Sequence, residues 1–466
     1  MRKTLLAIAI AGLSVVAVSA QAEPPIISQQ SITLGGEALG YTTEAGYIPA
    51  ANAVSKEAHA NYFYTAYIAR GGDANRPVAF LWNGGPGAPS SWVQFKGFGP
   101  RVIDGDHLAD NPDTLLPAAD LVFIDPIGTG FSRPLKTEYG KEYYNTLGDA
   151  AAATDMIRTW LREHHAAGRP VFLVGESFGG YRAGGVAERL ESGGQHLTGV
   201  VLVSGGVASG PLIPPVVRAA LATPQKTASA LVLGKLAADL GTDRATVVRA
   251  ATRWSLETYL PALVHADKLS DAERTAIVND LSRYTGYPAD RIDRKTLMIN
   301  GQDYLKVMSP DPKTPLSVYD MRTTASSDLD GALIHRFYAD IGLRDQPAYW
   351  DIGTTMDPGQ AREGGWVWNY RWPESEKWGS DYAEPWLPYA MKVNPHLKVM
   401  VAAGQYDAAN SCAENDVLLS MLDTELARNY SMYCYLGGHM IYRSPDARHV
   451  LNTDIRDFIR HSAAQR

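Results

Sequence analysis

Ser177 stands at the centre of the sequence GESFGG, directly after the apolar run VFLV at residues 171–174. A short apolar run bounded by glycine is typical of a fully buried strand in a parallel sheet. A serine that follows such a strand, with glycine on either side, is typical of a nucleophile elbow, because the glycines leave room for the sharp turn and for the substrate. We therefore predict that Ser177 is the nucleophile of an acyl-transfer reaction.

A serine nucleophile needs a base, and the base needs an orienting carboxylate. In hydrolases with this elbow the chain order is Ser, then Asp or Glu, then His. Asp407 follows the apolar run LKVMVAAG, and His439 follows YSMYCYLGG, in which two glycines free the backbone. We predict Asp407 as the orienting acid, with Glu414 and Asp416 as nearby alternatives, and His439 as the base. The other histidines lack this setting and are expected at the surface or in packing roles.

The oxyanion hole of such an enzyme needs two backbone N–H donors, one from the residue after the nucleophile and one from a glycine-rich loop after an earlier strand. Phe178 supplies the first donor. The loop NGGPG at residues 83–87 follows an apolar run at residues 78–81, so its glycines are candidates for the second.

The elements that must position these residues alternate between strands and helices. One helical pattern is clear at residues 146–164, and another follows His439 at residues 445–458. Apolar strand-like runs occur at residues 62–68, 78–82, 121–124, 171–174, 200–203 and 399–402. This alternation predicts the α/β class, with a mostly parallel central sheet covered on both faces.

The middle of the chain has a different composition. Helical segments rich in charged residues are followed by a stretch rich in Gly, Trp, Tyr and Pro at residues 364–388. We predict a largely helical cap insertion at residues 209–384, over the carboxyl edge of the sheet, where substrates bind in such folds. A separate domain with its own ligand is the alternative. The core then comprises residues 23–208 and 385–466.

The composition is that of a soluble globular protein, with 466 residues, 45% hydrophobic and 20% charged. A net charge of −7 and the lack of a dense Lys/Arg cluster argue against a nucleic-acid partner. The spacing of His, Cys and acidic residues matches no metal motif, so neither a metal nor another cofactor is expected. The sequence gives no indication of the oligomeric state.

The first residues predict export. Arg2 and Lys3 precede an apolar run that ends in the cleavage-site pattern Ala20-Gln21-Ala22, so residues 1–22 are interpreted as a secretory signal. A membrane anchor is the alternative. We expect a periplasmic or secreted protein that is free of the membrane after the signal is removed.

The chain has two cysteines, Cys412 and Cys434. In an exported protein they are candidates for a disulfide, and two separate buried thiols are the alternative. The sequence leaves both open.

Five ordered motifs together resemble the serine carboxypeptidase family of α/β-hydrolases, most closely its bacterial exported branch. They are FLWNGGPGAPSSW at residues 80–92, LVFIDPIGTGFSRP at residues 121–134, GESFGG at residues 175–180, the pair Tyr406 and Asp407, and GGHM at residues 437–440. The resemblance covers the chain outside the signal and most of the predicted insertion. It implies the α/β-hydrolase fold.

The resemblance also implies roles for individual residues. The triad is matched by Ser177, Asp407 and His439, and the oxyanion donors by Gly85 and Phe178. The resemblance implies that the substrate's terminal carboxylate is bound by Asn83, Gly84 and Glu176. A protonated glutamate can donate to a carboxylate, whereas an ionised one repels it, so peptidase activity is expected to be favoured at acidic pH.

The sequence departs from the family pattern near Gly97. Eukaryotic members carry a further glutamate shortly before the Gly-Pro that ends this segment, whereas this chain reads QFKGFGP. We expect Lys96 to face water, with pairing to a terminal carboxylate as the alternative. The family's cysteine and serine after NGGPG are replaced by Ala88 and Pro89, so the family's disulfide there is absent.

Arg182, one turn past the elbow, is expected to pair with an acid such as Asp125 and to be structural, with binding of an anionic group as the alternative.

The function implied is that of an exported serine carboxypeptidase acting on peptides with a free C-terminus. An esterase or acyltransferase on the same scaffold is the alternative, because fold does not fix the substrate. A non-catalytic binding or scaffold protein is a third hypothesis, which an intact triad disfavours.

Overall fold

The computed structural model describes residues 24–207, 213–311, 313–324, 329, 331–344, 346–350, 368 and 385–465. The predicted signal at residues 1–22 lies outside the described residues. So does nearly all of the Gly- and Trp-rich stretch at residues 364–388.

Strands dominate the chain up to Pro134, and helices predominate after it. The strands are β1 (Ile26–Leu34), β2 (Glu37–Ala51), β3 (Ala58–Ala69), β4 (Val78–Trp82), β5 (Arg101–Asp104), β6 (His107–Asp110), β7 (Asp120–Ile124), β8 (Arg133–Pro134), β9 (Val171–Glu176), β10 (Gly199–Val203), β11 (Lys398–Gly404) and β12 (Tyr430–Tyr435). The α-helices are α1 (Gly140–Tyr143), α2 (Thr146–Glu163), α3 (Phe178–Ser192), α4 (Pro215–Leu221), α5 (Thr223–Val232), α6 (Arg244–Trp254), α7 (Leu260–Val264), α8 (Asp271–Thr285), α9 (Gly301–Met308), α10 (Gly331–Asp340), α11 (Trp386–Val393), α12 (Cys412–Ser420), α13 (Thr424–Ala427) and α14 (Pro445–Ala464). Short 3₁₀ turns occur at Thr137–Tyr139, Ala238–Leu240, Ala266–Lys268, Ala289–Arg291 and Ile441–Arg443, and π-helical turns at Val93–Phe98 and Ser255–Tyr259.

The main sheet runs in the order β1-β2-β3-β7-β4-β9-β10-β11-β12, with β8 paired to β3 at one side. Pairing is parallel from β7 through β4 to β12 and antiparallel from β1 to β7. Every residue of β4, β7, β9 and β10 is buried, as expected for central strands covered on both faces. The predicted α/β-hydrolase fold, with its mostly parallel sheet, is confirmed.

Local sequence explains the crossover helix α2, which was predicted at residues 146–164 and ends one residue earlier. The side chain of Asn145 accepts a hydrogen bond from the backbone N–H of Gly148 and so caps the first turn. The antiparallel strands β1 and β2 were not recognised in the sequence. The residues of β1 alternate between exposed and partly buried at the edge of the sheet, so β1 lacks a continuous apolar run. The consecutive buried residues of β2, at positions 43–46, are Thr, Glu, Ala and Gly, so it lacks one as well.

Helices cover both faces of the sheet. One apolar cluster joins α2, α3 and α11 to one face through residues such as Trp160, Ala183 and Leu387. The second joins α14 and α10 to the other face through residues such as Ile455 and Phe337. Helix α10 therefore packs on the sheet although its sequence falls within the predicted cap insertion.

The helices between residues 215 and 308 pack around a third apolar cluster of their own, which includes Tyr259, Leu281 and Tyr304. This cluster is separate from the two that flank the sheet. The predicted boundaries of the cap at residues 209 and 384 remain a prediction.

Cys412, the first residue of α12, is joined by a disulfide to Cys434 in β12, with a Cα–Cα distance of 5.7 Å. Closing a loop with a sequence separation of 22 residues stabilises the fold by about 3 kcal/mol on the chain-entropy model. The sequence left a disulfide and two separate buried thiols as alternatives, and the structure has the disulfide.

Over the described ranges, no helix combines the length and apolarity needed to span a bilayer. The same residues contain no group of His, Cys, Asp and Glu arranged to hold a metal ion.

Candidate active site

Ser177 lies in the tight turn between β9 and α3, with φ of 55° and ψ of −128°. A positive φ is unfavourable for a residue with a side chain, so the surrounding structure must hold this turn. The N–H of Ser177 donates to the carbonyl of Val203 over 2.8 Å, and its carbonyl accepts from the N–H of Gly180 over 2.9 Å. The elbow is thus tied to the end of β10 and to its own helix.

The glycines of the elbow are required by close packing. A Cβ on Gly175 would overlap the carbonyl oxygen of Gly179. A Cβ on Gly179 would lie 2.7 Å from Cδ1 of Trp82. Larger residues at either position would push the strand and helix apart and move Ser177.

The glycine-rich loop lies directly against the elbow. A Cβ on Gly84 would lie 2.6 Å from the backbone nitrogen of Phe178 and 2.7 Å from the carbonyl oxygen of Glu176. Gly85 follows with φ of +103°, a backbone conformation that favours glycine. The backbone nitrogen of Phe178, at the first position of helix α3, thus lies against this loop. This juxtaposition supports Gly85 and Phe178 as the predicted oxyanion donors.

Asp407 and His439 meet at the carboxyl ends of the parallel neighbours β11 and β12. Nδ1 of His439 lies 2.6 Å from Oδ2 of Asp407, and both side chains are buried. The other carboxylate oxygen, Oδ1, accepts from the backbone N–H of Ala409 over 2.8 Å. An ionised carboxylate only accepts, so Nδ1 carries the proton and Nε2 is the nitrogen left to act as a base. In the part of the chain that the structure describes, Nε2 has no hydrogen-bond partner.

The end of β10 links His439 to the elbow. The hydroxyl of Ser204 donates to the carbonyl of His439 over 2.6 Å, while the preceding residue, Val203, accepts from Ser177. The N–H of His439 donates to the carbonyl of Tyr319 over 2.6 Å, which fixes the loop from the other side. The three predicted triad residues therefore lie around one edge of the sheet.

The pKa of the His439 imidazole is raised above its ordinary value. Burial by itself lowers this pKa, but the charge of Asp407 and its hydrogen bond, together with the charge of Glu176, outweigh burial. Asp407 thus favours the protonated imidazole, which forms when a base accepts the proton of a serine.

Glu176 is buried beside the elbow, and its Oε2 accepts two hydrogen bonds. One comes from Nδ2 of Asn83 and the other from the hydroxyl of Tyr442, over 2.5 Å. Oδ1 of Asn83 accepts from the N–H of Val93 over 3.0 Å, which fixes the orientation of the amide. The residues predicted to bind a carboxylate, Asn83, Gly84 and Glu176, are therefore adjacent to one another.

Burial raises the pKa of the Glu176 carboxyl. The charge of His439 and the hydrogen bonds from Tyr442 and Asn83 oppose this rise, and the charge of Asp407 adds to it. The net direction is upward, so the neutral acid persists to higher pH than that of an exposed glutamate.

The structure corrects details of two expectations from the sequence. Arg182 pairs with an acid, as expected, but the acid is Asp149 and not Asp125: its Nε donates to Asp149 over 2.6 Å and its Nη1 to the carbonyl of Asn83 over 2.8 Å. Helix α3 packs against α2, which carries Asp149, so that acid is the nearer partner. Lys96 does not face water freely, since it is half-buried and Nζ donates to the carbonyl of Ile103 over 2.8 Å.

Sequence reasoning missed Tyr442 and Ser204, both of which contact predicted site residues. Tyr442 stands three residues after His439, buried in the turn Ile441–Arg443, and its hydroxyl reaches Glu176. A tyrosine shortly after the predicted base was the available signal. Nothing local identifies Ser204 except its place directly after β10.

Residues 35–217 match the model of the serine carboxypeptidase family, Peptidase_S10. This part of the chain is similar to serine carboxypeptidases. Serine carboxypeptidase-like 36 of Arabidopsis thaliana is 33% identical over 127 residues, which cover 26% of this chain and 25% of that protein. The pheromone-processing carboxypeptidase KEX1 of Verticillium alfalfae is 31% identical over 144 residues, covering 29% of this chain and 22% of that protein.

The matches to curated serine carboxypeptidase relatives cover between 22% and 37% of those proteins' lengths. These relatives come from plants and a fungus, so they do not test the similarity to a bacterial exported branch. Among solved structures, a prohormone-processing carboxypeptidase from Saccharomyces cerevisiae aligns with a TM-score of 0.49 and 16% identity, covering 90% of this chain and 91% of that one.

The choice of Asp407 over Asp416 as the orienting acid is testable. We expect Asp407→Asn to lower kcat for the enzyme's ester or peptide substrate by a factor on the order of 10⁴, because the imidazole loses the partner that fixes its tautomer. Asp416→Asn is the control, since Asp416 lies in α12, near in sequence, and is exposed. Steady-state kinetics of both variants measure the effect, and similar losses in the two would contradict the assignment.

Proposed function

We propose that this chain is an exported serine carboxypeptidase that removes C-terminal residues from peptides. The observation that carries the proposal is the buried carboxyl of Glu176, which directly precedes Ser177 and is held by two neutral donors. A neutral acid beside the nucleophile suits a substrate that places a free carboxylate next to its scissile bond. The similarity of residues 35–217 to serine carboxypeptidases supports the same activity.

In the proposed reaction, Oγ of Ser177 attacks the carbonyl carbon of the last peptide bond while Nε2 of His439 takes the serine proton. The developing oxyanion is stabilised by the N–H groups of Gly85 and Phe178. His439 then gives its proton to the leaving amine as the C–N bond breaks, which leaves an acyl-enzyme on Ser177. Water attacks this ester, again with His439 as the base, and the shortened peptide leaves with a new carboxyl group.

Asp407 holds the imidazole throughout and stabilises its charged form. Asn83, Gly84 and Glu176 are proposed to bind the terminal carboxylate and so to place the last peptide bond over Ser177. No cofactor or metal takes part in this proposal.

The proposed location is the periplasm or the cell exterior, for which the basic and apolar sequence at residues 1–22 is the support.

An esterase or acyltransferase activity is the competing proposal, favoured by Lys96 and Gly97, which stand where the resemblance to eukaryotic family members leads us to expect a further acid. Such an enzyme would use the same acyl-enzyme chemistry but would not require a terminal carboxylate. The two proposals are separated by substrates that differ only in that group.

The substrate requirement is tested with blocked dipeptides that carry either a free or an amidated C-terminus, alongside a short-chain aryl ester. We expect cleavage of the free acid and little cleavage of the amide. Ser177→Ala is expected to lower kcat by a factor on the order of 10⁶, because no other group replaces the nucleophile. Ser192→Ala, at the exposed end of α3, is the matched control. Ester turnover without any peptide cleavage would favour the competing proposal.

The pH dependence tests the role of Glu176. Its pKa is raised, so we expect the ratio of kcat/KM for the free-acid dipeptide to kcat/KM for the ester to be high at acidic pH and to fall as the pH rises to 8 and the carboxyl ionises. Protonation of His439, whose pKa is also raised, affects both substrates and cancels in this ratio. The ester has no carboxylate to be repelled and should not show this fall. In Glu176→Gln the side chain stays neutral at every pH, so the ratio of peptide to ester kcat/KM should become independent of pH. A peptide-to-ester ratio that stays flat or rises from pH 5 to 8 in the unmodified enzyme would contradict the role.

A further inference from the structure

Gly97 and Tyr442 meet beside the carboxyl of Glu176. A Cβ on Gly97 would lie 3.2 Å from Cγ of the Tyr442 ring, so a longer side chain at position 97 would enter the space that the ring fills. The ring is fully buried, and Phe98 packs against it edge-on with 5.5 Å between ring centroids. From this position the Tyr442 hydroxyl reaches Oε2 of Glu176.

The backbone at Gly97 is fixed and cannot withdraw from the ring. Its carbonyl accepts from Nδ2 of Asn111 and from Nδ2 of Asn452, both over 3.0 Å. Both asparagines are fully buried. Position 97 therefore has no room for an acidic side chain while Tyr442 is present, and the donor to Glu176 comes from the turn after His439 instead.

The hydrogen bonds to Glu176 determine where its proton lies. Oε2 accepts from an amide N–H of Asn83 and from the hydroxyl of Tyr442, and both donors point their hydrogens at this oxygen. The Tyr442 oxygen in turn accepts from Nδ2 of Asn83 over 3.3 Å, so its own hydrogen is directed to Oε2, where a further proton would meet both donated hydrogens. A neutral Glu176 therefore carries its proton on Oε1, to which none of the described residues donates.

We infer that Tyr442 is a positioning residue for substrate recognition, which holds Glu176 so that the Oε1 hydroxyl donates to the terminal carboxylate of a peptide. The inference rests on the proposed carboxypeptidase function. It explains how a site without an acid at position 97 can still present a single, oriented acidic proton. Tyr442 does not touch the reacting atoms; it acts through Glu176.

Four titratable groups act on Glu176 from the elements packed around it: Asp407, His439, Tyr319 and Tyr442. Of these, Asp407 disfavours the ionised carboxyl, whereas His439 and the Tyr442 hydroxyl favour it. Loss of the Tyr442 hydroxyl removes a donor to the charged form, so the pKa of Glu176 should rise further. The pH at which peptide cleavage is lost should rise with it.

The test is Tyr442→Phe, which keeps the ring against Gly97 and removes only the hydroxyl. For the free-acid dipeptide and the aryl ester, kcat/KM is measured from pH 5 to 9. We expect the pH at which the peptide-to-ester ratio falls to half to rise by about one unit, the order expected for one hydrogen bond to a charged group. Carbon-13 NMR of the Glu176 carboxyl should show a rise in pKa in the same direction.

The matched control is Tyr64→Phe, because the Tyr64 hydroxyl donates to buried Glu44 over the same 2.5 Å on the far strands β2 and β3. This control should leave the midpoint unchanged. In a Glu176→Gln background, Tyr442→Phe should produce no shift.

An unchanged midpoint and an unchanged Glu176 pKa in Tyr442→Phe would overturn the inference, as would an equal shift in Tyr64→Phe. If the unmodified enzyme cleaves no free-acid peptide, the proposed function fails, and with it the role of Tyr442 in recognition. The NMR titration separates this outcome from failure of the Tyr442–Glu176 coupling, because it needs no turnover.

Discussion

The backbone turn at Ser177 is the constraint on which the rest of the site depends. Its positive φ is held because its backbone is hydrogen-bonded to the end of β10 and to helix α3. The turn needs glycine at positions 175 and 179 on the elbow itself and at position 84 on the loop opposite. The strained turn at Ser177 thus fixes where the glycine-rich loop lies. That loop carries Gly85, a candidate oxyanion donor, and Asn83 and Gly84, which are candidates for binding a carboxylate.

The electrostatics of the site follow from two buried carboxyls with different partners. Asp407 accepts from the imidazole of His439, which can carry a positive charge, and from a backbone N–H. Glu176 accepts on Oε2 from an amide and a phenol, which are neutral. Burial raises the pKa of the Glu176 carboxyl, and these two donors with the charge of His439 only partly offset the rise. The same site therefore holds one carboxyl that orients the candidate base and a second whose neutral form persists to higher pH than that of an exposed glutamate.

Sequence reasoning succeeded where the signal is local or follows chain order. The elbow is contained in a few adjacent residues, and Asp407 and His439 each follow a strand that is recognisable by its apolar run. Predictions from the sequence failed where the packing of distant segments determines which side chains are in contact. Arg182 had several acids within reach of its helix, and only the contact between α3 and α2 selects Asp149. Tyr442 contacts Asn83 and Glu176 across hundreds of residues, and no spacing in the sequence encodes that meeting.

The central claim, that Ser177 is a nucleophile activated by His439, is tested most directly by covalent labelling. The purified protein is treated with a fluorophosphonate, and the modified residue is located by peptide mass mapping. The account predicts a single adduct, on the peptide that contains Ser177, and a large drop in the labelling rate in His439→Ala. An adduct at another residue, or labelling of Ser177 at an unchanged rate without His439, would contradict the account.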